Sequence, residues 1–77
     1  MVNVDDVKKL IARQLDLDPE DITPEKSFAE DLGADSLDQV EIIMGIEDAY
    51  NISIPDEVAM EIHTVGDALE QLKKALE

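Results

Sequence analysis

The feature that most restricts the fold of this chain is a helical segment that is apolar on two opposite sides. Gly33 permits a sharp turn before it, and Ser36 with Gln39 three residues later predicts a capped helix start. At about 100° per residue, two nearly opposite faces carry large apolar side chains. One set is Ile42, Ile43, Ile46, Ala49 and Tyr50, and the other is Leu37, Val40 and Met44. Since an ordinary surface helix has one apolar stripe, we expect the first set in the core and the second on an exposed partner surface.

The charge of the chain excludes several classes of partner. It has 20 acidic and 6 basic residues, for a net charge of -14, and positions 27–72 contain twelve acids and no lysine or arginine. Such a surface repels nucleic acids and anionic membranes and attracts basic patches on other proteins. We therefore expect protein partners, no nucleic-acid binding, no membrane insertion and a monomeric state.

The length of 77 residues predicts one domain, residues 1–77, with a modest core. The chain has no Cys and no Trp, with one Tyr and one Phe, so disulfides and thiolate metal sites are excluded and the core must be aliphatic. No apolar run approaches the length of a membrane span, and no N-terminal stretch has the pattern of a signal peptide. These features predict a cytoplasmic protein, although a processed organellar protein would look the same.

Helical spacing predicts two further main helices, one near each end of the chain. The first has an apolar face made of Val4, Val7, Leu10, Ile11 and Leu15. The last follows a capping box of Thr64 and Asp67 and has lysines near its end, where cations suit the helix macrodipole. Its apolar face is made of Val65, Ala68, Leu69, Leu72, Ala75 and Leu76.

The connections between these helices carry turn-forming residues. Pro19, Pro24 and Gly33 argue against a helix between the first and second main helices, and apolar residues such as Phe28 are spaced to hold this connection against the core. The sequence therefore predicts a long ordered loop there. After Pro55, a brief apolar segment allows one or two helical turns before the last helix, and no strand is predicted.

Two kinds of active site fail on the sequence. A nucleophilic serine needs a base, but the one histidine, His63, lies among apolar residues, and Ser36 lacks the following glycine of a nucleophile elbow. A calcium loop starting at Asp16 would need glycine at its sixth position and glutamate at its twelfth, which are Asp21 and Ser27. We expect neither a catalytic site nor a specific metal site, and loose divalent binding by the acidic clusters remains open.

The run from Glu30 to Asp38, built around the triplet of Asp35, Ser36 and Leu37, closely resembles the modification site of acyl carrier proteins. The resemblance covers nearly the whole chain, including the basic first helix, the acidic second helix and the long loop between them. It implies an all-α fold, a small four-helix bundle of three main helices and one short helix, with a long ordered loop between the first and second helices.

The resemblance also implies a function for Ser36. In that family the matching serine is esterified by 4'-phosphopantetheine, which a separate transferase delivers from coenzyme A. The arm ends in a thiol that carries the growing acyl chain as a thioester, so the cofactor supplies the thiol that this chain lacks. The expected protein is a non-catalytic carrier of type II fatty acid biosynthesis, with Asp35 and Leu37 as the motif around the attachment site.

Partner and cargo surfaces follow from the same resemblance. The implied partners are phosphopantetheinyl transferase, acyl transferases, ketoacyl synthases, reductases and dehydratases with basic patches. Their expected docking surface comprises Leu37, Asp38, Val40, Glu41, Met44, Glu47, Asp48 and Asp56. The expected lining of an acyl pocket comprises Ile43, Ile46, Ile54, Ala59, Ile62, Ala68 and Leu72.

Three points stay open at this level. A carrier for polyketide or another specialised acyl pathway would share the fold and the serine. A protein of another class, an acidic helical adaptor or divalent-ion-responsive regulator, would use Ser36 only as a helix cap. Gly45 stands inside the second helix at a cost of about 1 kcal/mol, and the sequence does not say what that glycine provides.

Overall fold

The computed structural model describes residues 3–76, and their regular structure is helical. The elements are α1 (Val4–Leu15), α2 (Ser36–Tyr50), α3 (Asp56–Ala59) and α4 (Val65–Leu76). A single 3-10 turn at Pro19–Asp21 lies in the loop between α1 and α2. Over the described range there is no strand, and one isolated antiparallel bridge joins Ser27 to Thr64. The predicted all-α bundle of three main helices and one short helix is confirmed.

The helix ends show why these residues form these helices. Asn3 caps α1 by accepting a hydrogen bond from the Asp6 N–H. Asp16 and Asn51 end α1 and α2 in the left-handed conformation, with φ of 58° and 54°. Asp and Asn are the residues that tolerate this conformation best after glycine, and it turns the chain away from the helix axis.

The core is almost entirely aliphatic, as the composition predicted. Each main helix contributes one stripe to it, and the loop contributes Ile22 and Phe28. No polar or charged side chain among residues 3–76 is buried. The buried set is Val7, Ile11, Ala12, Ile22, Phe28, Ala34, Ile42, Ile46, Ile54, Ile62, Val65, Ala68 and Leu72.

The buried face of α2 agrees with the sequence prediction except near the end of the helix. Ile42 and Ile46 are buried and Ile43 and Tyr50 are half-buried, but Ala49 is exposed. Ala49 was expected on the core face because the helical period places it beneath Ile42. The period gives only a direction, and Ala49 lies in the last turn of α2, where its small side chain is left exposed.

The loop between α1 and α2 is held by backbone hydrogen bonds to the start of α4. The N–H of Phe28 donates to the carbonyl oxygen of His63 at 2.9 Å, and the N–H of Val65 donates to that of Lys26 at 3.0 Å. The N–H of Gly66 donates to the carbonyl oxygen of Pro24 at 2.9 Å, where an added Cβ would lie 3.0 Å from the same oxygen. These bonds explain the order that the sequence predicted for this loop.

The role of Gly45 becomes clear from the packing of α1 against α2. A Cβ added at Gly45 would lie 3.3 Å from Cδ2 of Leu10, on the facing side of α1. This distance is tighter than most carbon contacts, so an alanine here would require the flexible end of the Leu10 side chain to move. Gly45, which lowers the helix propensity of α2, therefore lies at a contact between α1 and α2.

Candidate functional site

The start of α2 is formed by two aspartates, and Ser36 is the first residue after them in the helix. The Asp38 N–H donates to Oδ1 of Asp35 at 2.9 Å, and the Asp35 N–H donates to Oδ2 of Asp38 at 3.2 Å. This is a reciprocal capping box with Asp35 as the N-cap. The expectation that Ser36 and Gln39 form the cap is therefore wrong. Because aspartate is at least as good a cap as serine, the position before Ser36 takes that role.

The turn before α2 presents the serine to solvent. Gly33 has a φ of 70°, and an added Cβ there would meet no atom within 4 Å, so the need for glycine is conformational rather than steric. The next residue, Ala34, is buried, and its N–H donates to the carbonyl oxygen of Phe28 at 2.7 Å. Ala34 fixes the turn, while Ser36 is exposed.

The first turn of α2 retains hydrogen-bond donors for an anionic group. Over residues 3–76, the N–H groups of Ser36 and Leu37 have no hydrogen-bond acceptor, whereas the Asp38 N–H is used by the cap. Unpaired N–H groups at a helix start favour phosphate oxygens. A phosphate ester on the Ser36 hydroxyl would therefore lie near these free N–H groups. The adjacent Asp35 and Asp38 offer it no positive charge.

An apolar outward stripe follows the serine along α2. We define the outward stripe as Leu37, Val40 and Met44, whose exposed fractions are 65%, 52% and 56%. This confirms that the second apolar face of α2 is not in the core. Asp48 and Asp56 are exposed as well. Large apolar side chains at this exposure, surrounded by acids, have the character of a protein-binding surface.

The acids predicted around the outward stripe differ in their exposure and in their hydrogen bonds. Glu41 is exposed and accepts a hydrogen bond from the side chain of Gln14 on α1. Glu47 was expected to be exposed, but it is half-buried and its Oε2 accepts the Ile54 N–H at 2.8 Å. Asp38 is also half-buried, because its carboxylate completes the capping box. The carboxylates of Glu47 and Asp38 therefore already accept backbone hydrogen bonds within the protein. A partner that contacts either residue would meet a carboxylate that has this internal hydrogen bond.

A small cavity opens beside the first half of α2. Its volume is about 10 Å³, roughly what one water molecule requires. Three of the predicted pocket residues line it, namely Ile43, Ile62 and Ala68. The sequence interpretation missed the other lining residues, which are Phe28, Gln39 and Ile42.

The remaining predicted pocket residues lie elsewhere. Ile46, Ile54 and Leu72 are buried in the core and Ala59 is half-buried, but none of them lines this cavity. Helical spacing identified the inward direction correctly and could not identify where the helices leave a gap. For Gln39 a usable signal existed, since it lies three residues after Ser36 and therefore on the same side of α2.

A carboxylate in the first turn of α4 accepts hydrogen bonds from the segment before the helix. Oδ2 of Asp67 accepts the N–H groups of His63 and Thr64, both at 3.1 Å. These bonds, with that from His63 the stronger influence, lower the pKa of Asp67 below its usual value of 3.8. The Asp67 N–H donates to Oγ1 of Thr64 at 3.1 Å, which confirms the predicted capping box.

A metal-binding cluster and a membrane-spanning helix are both absent from the part of the chain that the structure describes. Residues 3–76 contain no group of three or more histidine or acidic side chains placed to hold a metal ion. None of the helices in that range combines the length and the apolar character needed to cross a membrane.

Comparison with known sequences agrees with the geometry of the serine site. The family model described as "Phosphopantetheine attachment site" matches residues 5–72. An acyl carrier protein of Wolinella succinogenes is 48% identical over 73 residues, which cover 95% of this chain and 96% of that protein. One from Phenylobacterium zucineum is 49% identical over 70 residues, which cover 91% and 89% of the two chains. One from Thermosynechococcus vestitus is 55% identical over 64 residues, which cover 83% and 79%.

A solved structure agrees with the fold as well. The chain superposes on a Mycobacterium tuberculosis protein assigned as an acyl carrier protein with a TM-score of 0.87 and 32% sequence identity. The superposition covers 94% of this chain and 97% of that one. Both the sequence and the fold therefore match over almost the full described length, and the chain belongs to the acyl carrier protein family, with 4'-phosphopantetheine as its covalent cofactor.

Proposed function

We propose that Ser36 carries the 4'-phosphopantetheine arm and that the chain, as a single acyl carrier domain, shuttles acyl thioesters between enzymes of fatty acid biosynthesis. The observation that supports this most directly is the exposed hydroxyl of Ser36 in the first turn of α2. Of the flanking motif residues, Asp35 supplies the cap and Leu37 lies exposed on the surface. The hydroxyl is thus free for chemistry while its neighbours maintain the helix.

In the proposed attachment step, Oγ of Ser36 forms a bond to the phosphorus that bears the pantetheine of coenzyme A. The bond from that phosphorus to the bridging oxygen of the pyrophosphate breaks, and adenosine 3',5'-bisphosphate leaves. The serine proton passes to a base, which the transferase must provide. In the carrier, the acids near Ser36 are Asp35 and Asp38. Over residues 3–76, no hydrogen bond joins Ser36 to His63.

The charge distribution supports binding of coenzyme A by the partner enzyme. Positions 27–72 contain no lysine or arginine, so the sequence on either side of Ser36 offers no cation to the phosphates of the donor. A transferase with a basic surface would bind both the donor phosphates and the acidic carrier. The chain is therefore proposed to act as a substrate for other enzymes and not as a catalyst.

The outward stripe is the proposed contact surface for acyl transferases, ketoacyl synthases, reductases and dehydratases. Charge would bring a basic partner to this face, and the exposed side chains of the outward stripe would seat it. Glu41, Asp48 and Asp56 are the exposed acids available for such contacts. Rapid release is required of a carrier, and a small apolar contact surrounded by solvated charges suits it.

The attachment proposal is tested by loading the protein. The apo chain is incubated with coenzyme A and a broad-specificity phosphopantetheinyl transferase, and the intact mass is measured for the wild type and Ser36→Ala. We expect the mass of one phosphopantetheine group on the wild type and none on the variant. Modification of Ser36→Ala would place the site at another residue, and an unmodified wild type would contradict the carrier function.

The pathway is tested with purified enzymes. The loaded chain is offered to a ketoacyl synthase of dissociated fatty acid synthesis and to one of a polyketide system, and the rates of chain extension are compared. Faster extension by the fatty acid enzyme supports the proposal. Preference for the polyketide enzyme would place the chain in a specialised pathway.

A further inference from the structure

The cavity beside α2 is apolar except for one side chain. Five of its six lining residues are Phe28, Ile42, Ile43, Ile62 and Ala68. The sixth is Gln39, which is half-buried. A glutamine at the edge of an apolar cavity is unusual because burying an amide without a hydrogen bond is unfavourable.

Gln39 lies between the serine and the cavity. Ser36, Gln39 and Ile43 are separated by three and four residues, so they fall on one side of α2 in consecutive turns. Ser36 is exposed, Gln39 is half-buried and Ile43 lines the cavity. A group that reaches the cavity from an arm on Ser36 along this side of α2 therefore passes Gln39, and it must widen a space of about 10 Å³ as it enters.

The amide of Gln39 is available to such a group. Across the described part of the chain, its side chain makes no hydrogen bond to another protein group, although a glutamine amide has two N–H donors and an acceptor oxygen. Because Gln39 is only half-buried, its amide keeps access to water. A saturated chain would displace that water and offer nothing in return, whereas a chain with an oxygen near its thioester end could replace the lost hydrogen bond.

We propose that Gln39 is a specificity-determining residue, which favours entry of acyl chains with an oxygen near the thioester over saturated chains of the same length. The inference rests on the proposed attachment at Ser36. It adds that the cavity distinguishes acyl chains by their chemistry as well as by their length. The discriminating group is the part of the acyl chain that lies beside Gln39 on α2.

The test compares two chains of equal length on the same protein. Wild type and Gln39→Leu are each loaded from octanoyl coenzyme A and from 3-hydroxyoctanoyl coenzyme A, and loading is verified by intact mass. The melting temperature of each form is then measured. We expect the difference between the hydroxylated and saturated forms to fall by about 4 °C in Gln39→Leu, the order of effect of losing one hydrogen bond in a domain of this size.

Two further variants make the comparison decisive. Gln39→Met retains the length and flexibility of glutamine without the amide, and it should behave as Gln39→Leu does. Gln71→Leu removes a half-buried glutamine on α4, whose side chain lines a different groove, and it should leave the wild-type difference unchanged. Because each variant is compared with itself carrying two cargoes, a general loss of stability cancels.

A second readout reports on the amide directly. In nuclear magnetic resonance spectra, the side-chain NH₂ signals of Gln39 should shift more between the unacylated and 3-hydroxyoctanoyl forms than between the unacylated and octanoyl forms. Equal temperature differences in wild type, Gln39→Leu and Gln39→Met would overturn the proposal. Wild-type protein that gains no mass would instead contradict the attachment at Ser36, so the two failures are distinguishable.

Discussion

Asp35 and Asp38 each accept the other's backbone N–H, at 2.9 and 3.2 Å, and this pair caps α2 directly beside the exposed hydroxyl of Ser36. The cap and the proposed attachment point are therefore different residues. Ser36 is free to be modified because the helix does not depend on its side chain.

This division of roles predicts unequal effects of neighbouring substitutions on stability. Asp35→Ala should lower the free energy of unfolding by about 1 kcal/mol, because the Asp38 N–H loses its acceptor. Ser36→Ala should change it by less than about 0.5 kcal/mol while abolishing loading. Urea unfolding of both apo proteins measures the difference. A greater loss for Ser36→Ala than for Asp35→Ala would show that the serine, and not the aspartate, caps the helix.

Gly45→Ala should stabilise the protein by about 0.5 kcal/mol. Alanine gains about 1 kcal/mol of helix propensity over glycine, and the added carbon, 3.3 Å from Cδ2 of Leu10, meets the end of a flexible, half-buried side chain. Part of the gain is lost as Leu10 moves. The change in melting temperature shows whether Gly45→Ala stabilises or destabilises the protein.

The control for this substitution is Gly33→Ala. Its φ of 70° disfavours every residue with a Cβ, so it should destabilise the protein by about 1 kcal/mol even though the space is open. If Gly45→Ala also destabilises the protein, the contact with Leu10 is rigid and Gly45 is required for the approach of α1 to α2.

Asp67 should contribute to stability in a pH-dependent manner. Its pKa is lowered by the N–H groups of His63 and Thr64, so its contribution is complete above its usual pKa of 3.8 and is lost as the pH falls through the lower folded-state value. The stability difference between wild type and Asp67→Ala should therefore shrink as the pH falls from about 6 to 3. Urea unfolding at several pH values measures it.

Glu61→Ala provides the matched comparison for Asp67, since it removes an exposed acid and the same unit of charge. Its stability difference from wild type should not show the acid-side loss expected for Asp67→Ala. A difference for Asp67→Ala that stays constant down to pH 3 would contradict a role for the carboxylate in holding the start of α4.

The outward stripe should determine the efficiency of partner encounters. Met44→Ala should reduce kcat/KM of a transferase or synthase for the carrier by about tenfold, the effect of about 1.4 kcal/mol at an interface. The melting temperature should change little, because Met44 is 56% exposed. Met60→Ala removes another exposed methionine outside the outward stripe and should leave kcat/KM unchanged. Equal effects of both variants would place the interface elsewhere.

Salt should raise the melting temperature of this protein. The net charge of -14 destabilises the compact state through repulsion, and positions 27–72 contain twelve acids without a lysine or arginine. Potassium chloride screens this repulsion, since the Debye length falls to about 3 Å at 1 M salt. Magnesium chloride should act at lower concentration. A melting temperature that responds to neither salt would show that the repulsion is too weak to matter.

Several features of the site were predictable because they depend on the local sequence. The periodic apolar residues predicted α1, α2 and α4, and the turn residues around Pro24 and Gly33 predicted the ordered loop. The run around Ser36 identified the family. Local sequence did not identify Asp35 as the cap, because Asp35 and Ser36 are both good caps and the choice depends on where the chain turns.

By itself, the sequence determined the helical fold, the acidic surface and the position of the serine proposed as the attachment point, since each depends on residue type and spacing along one segment. Only the tertiary structure decided that Ala49 is exposed, that Glu47 bonds the Ile54 amide and that Phe28, Gln39 and Ile42 line the cavity. The physical reason is that helical periodicity gives the direction of a side chain. Whether that side chain meets a neighbour, a gap or water depends on segments that are distant in sequence.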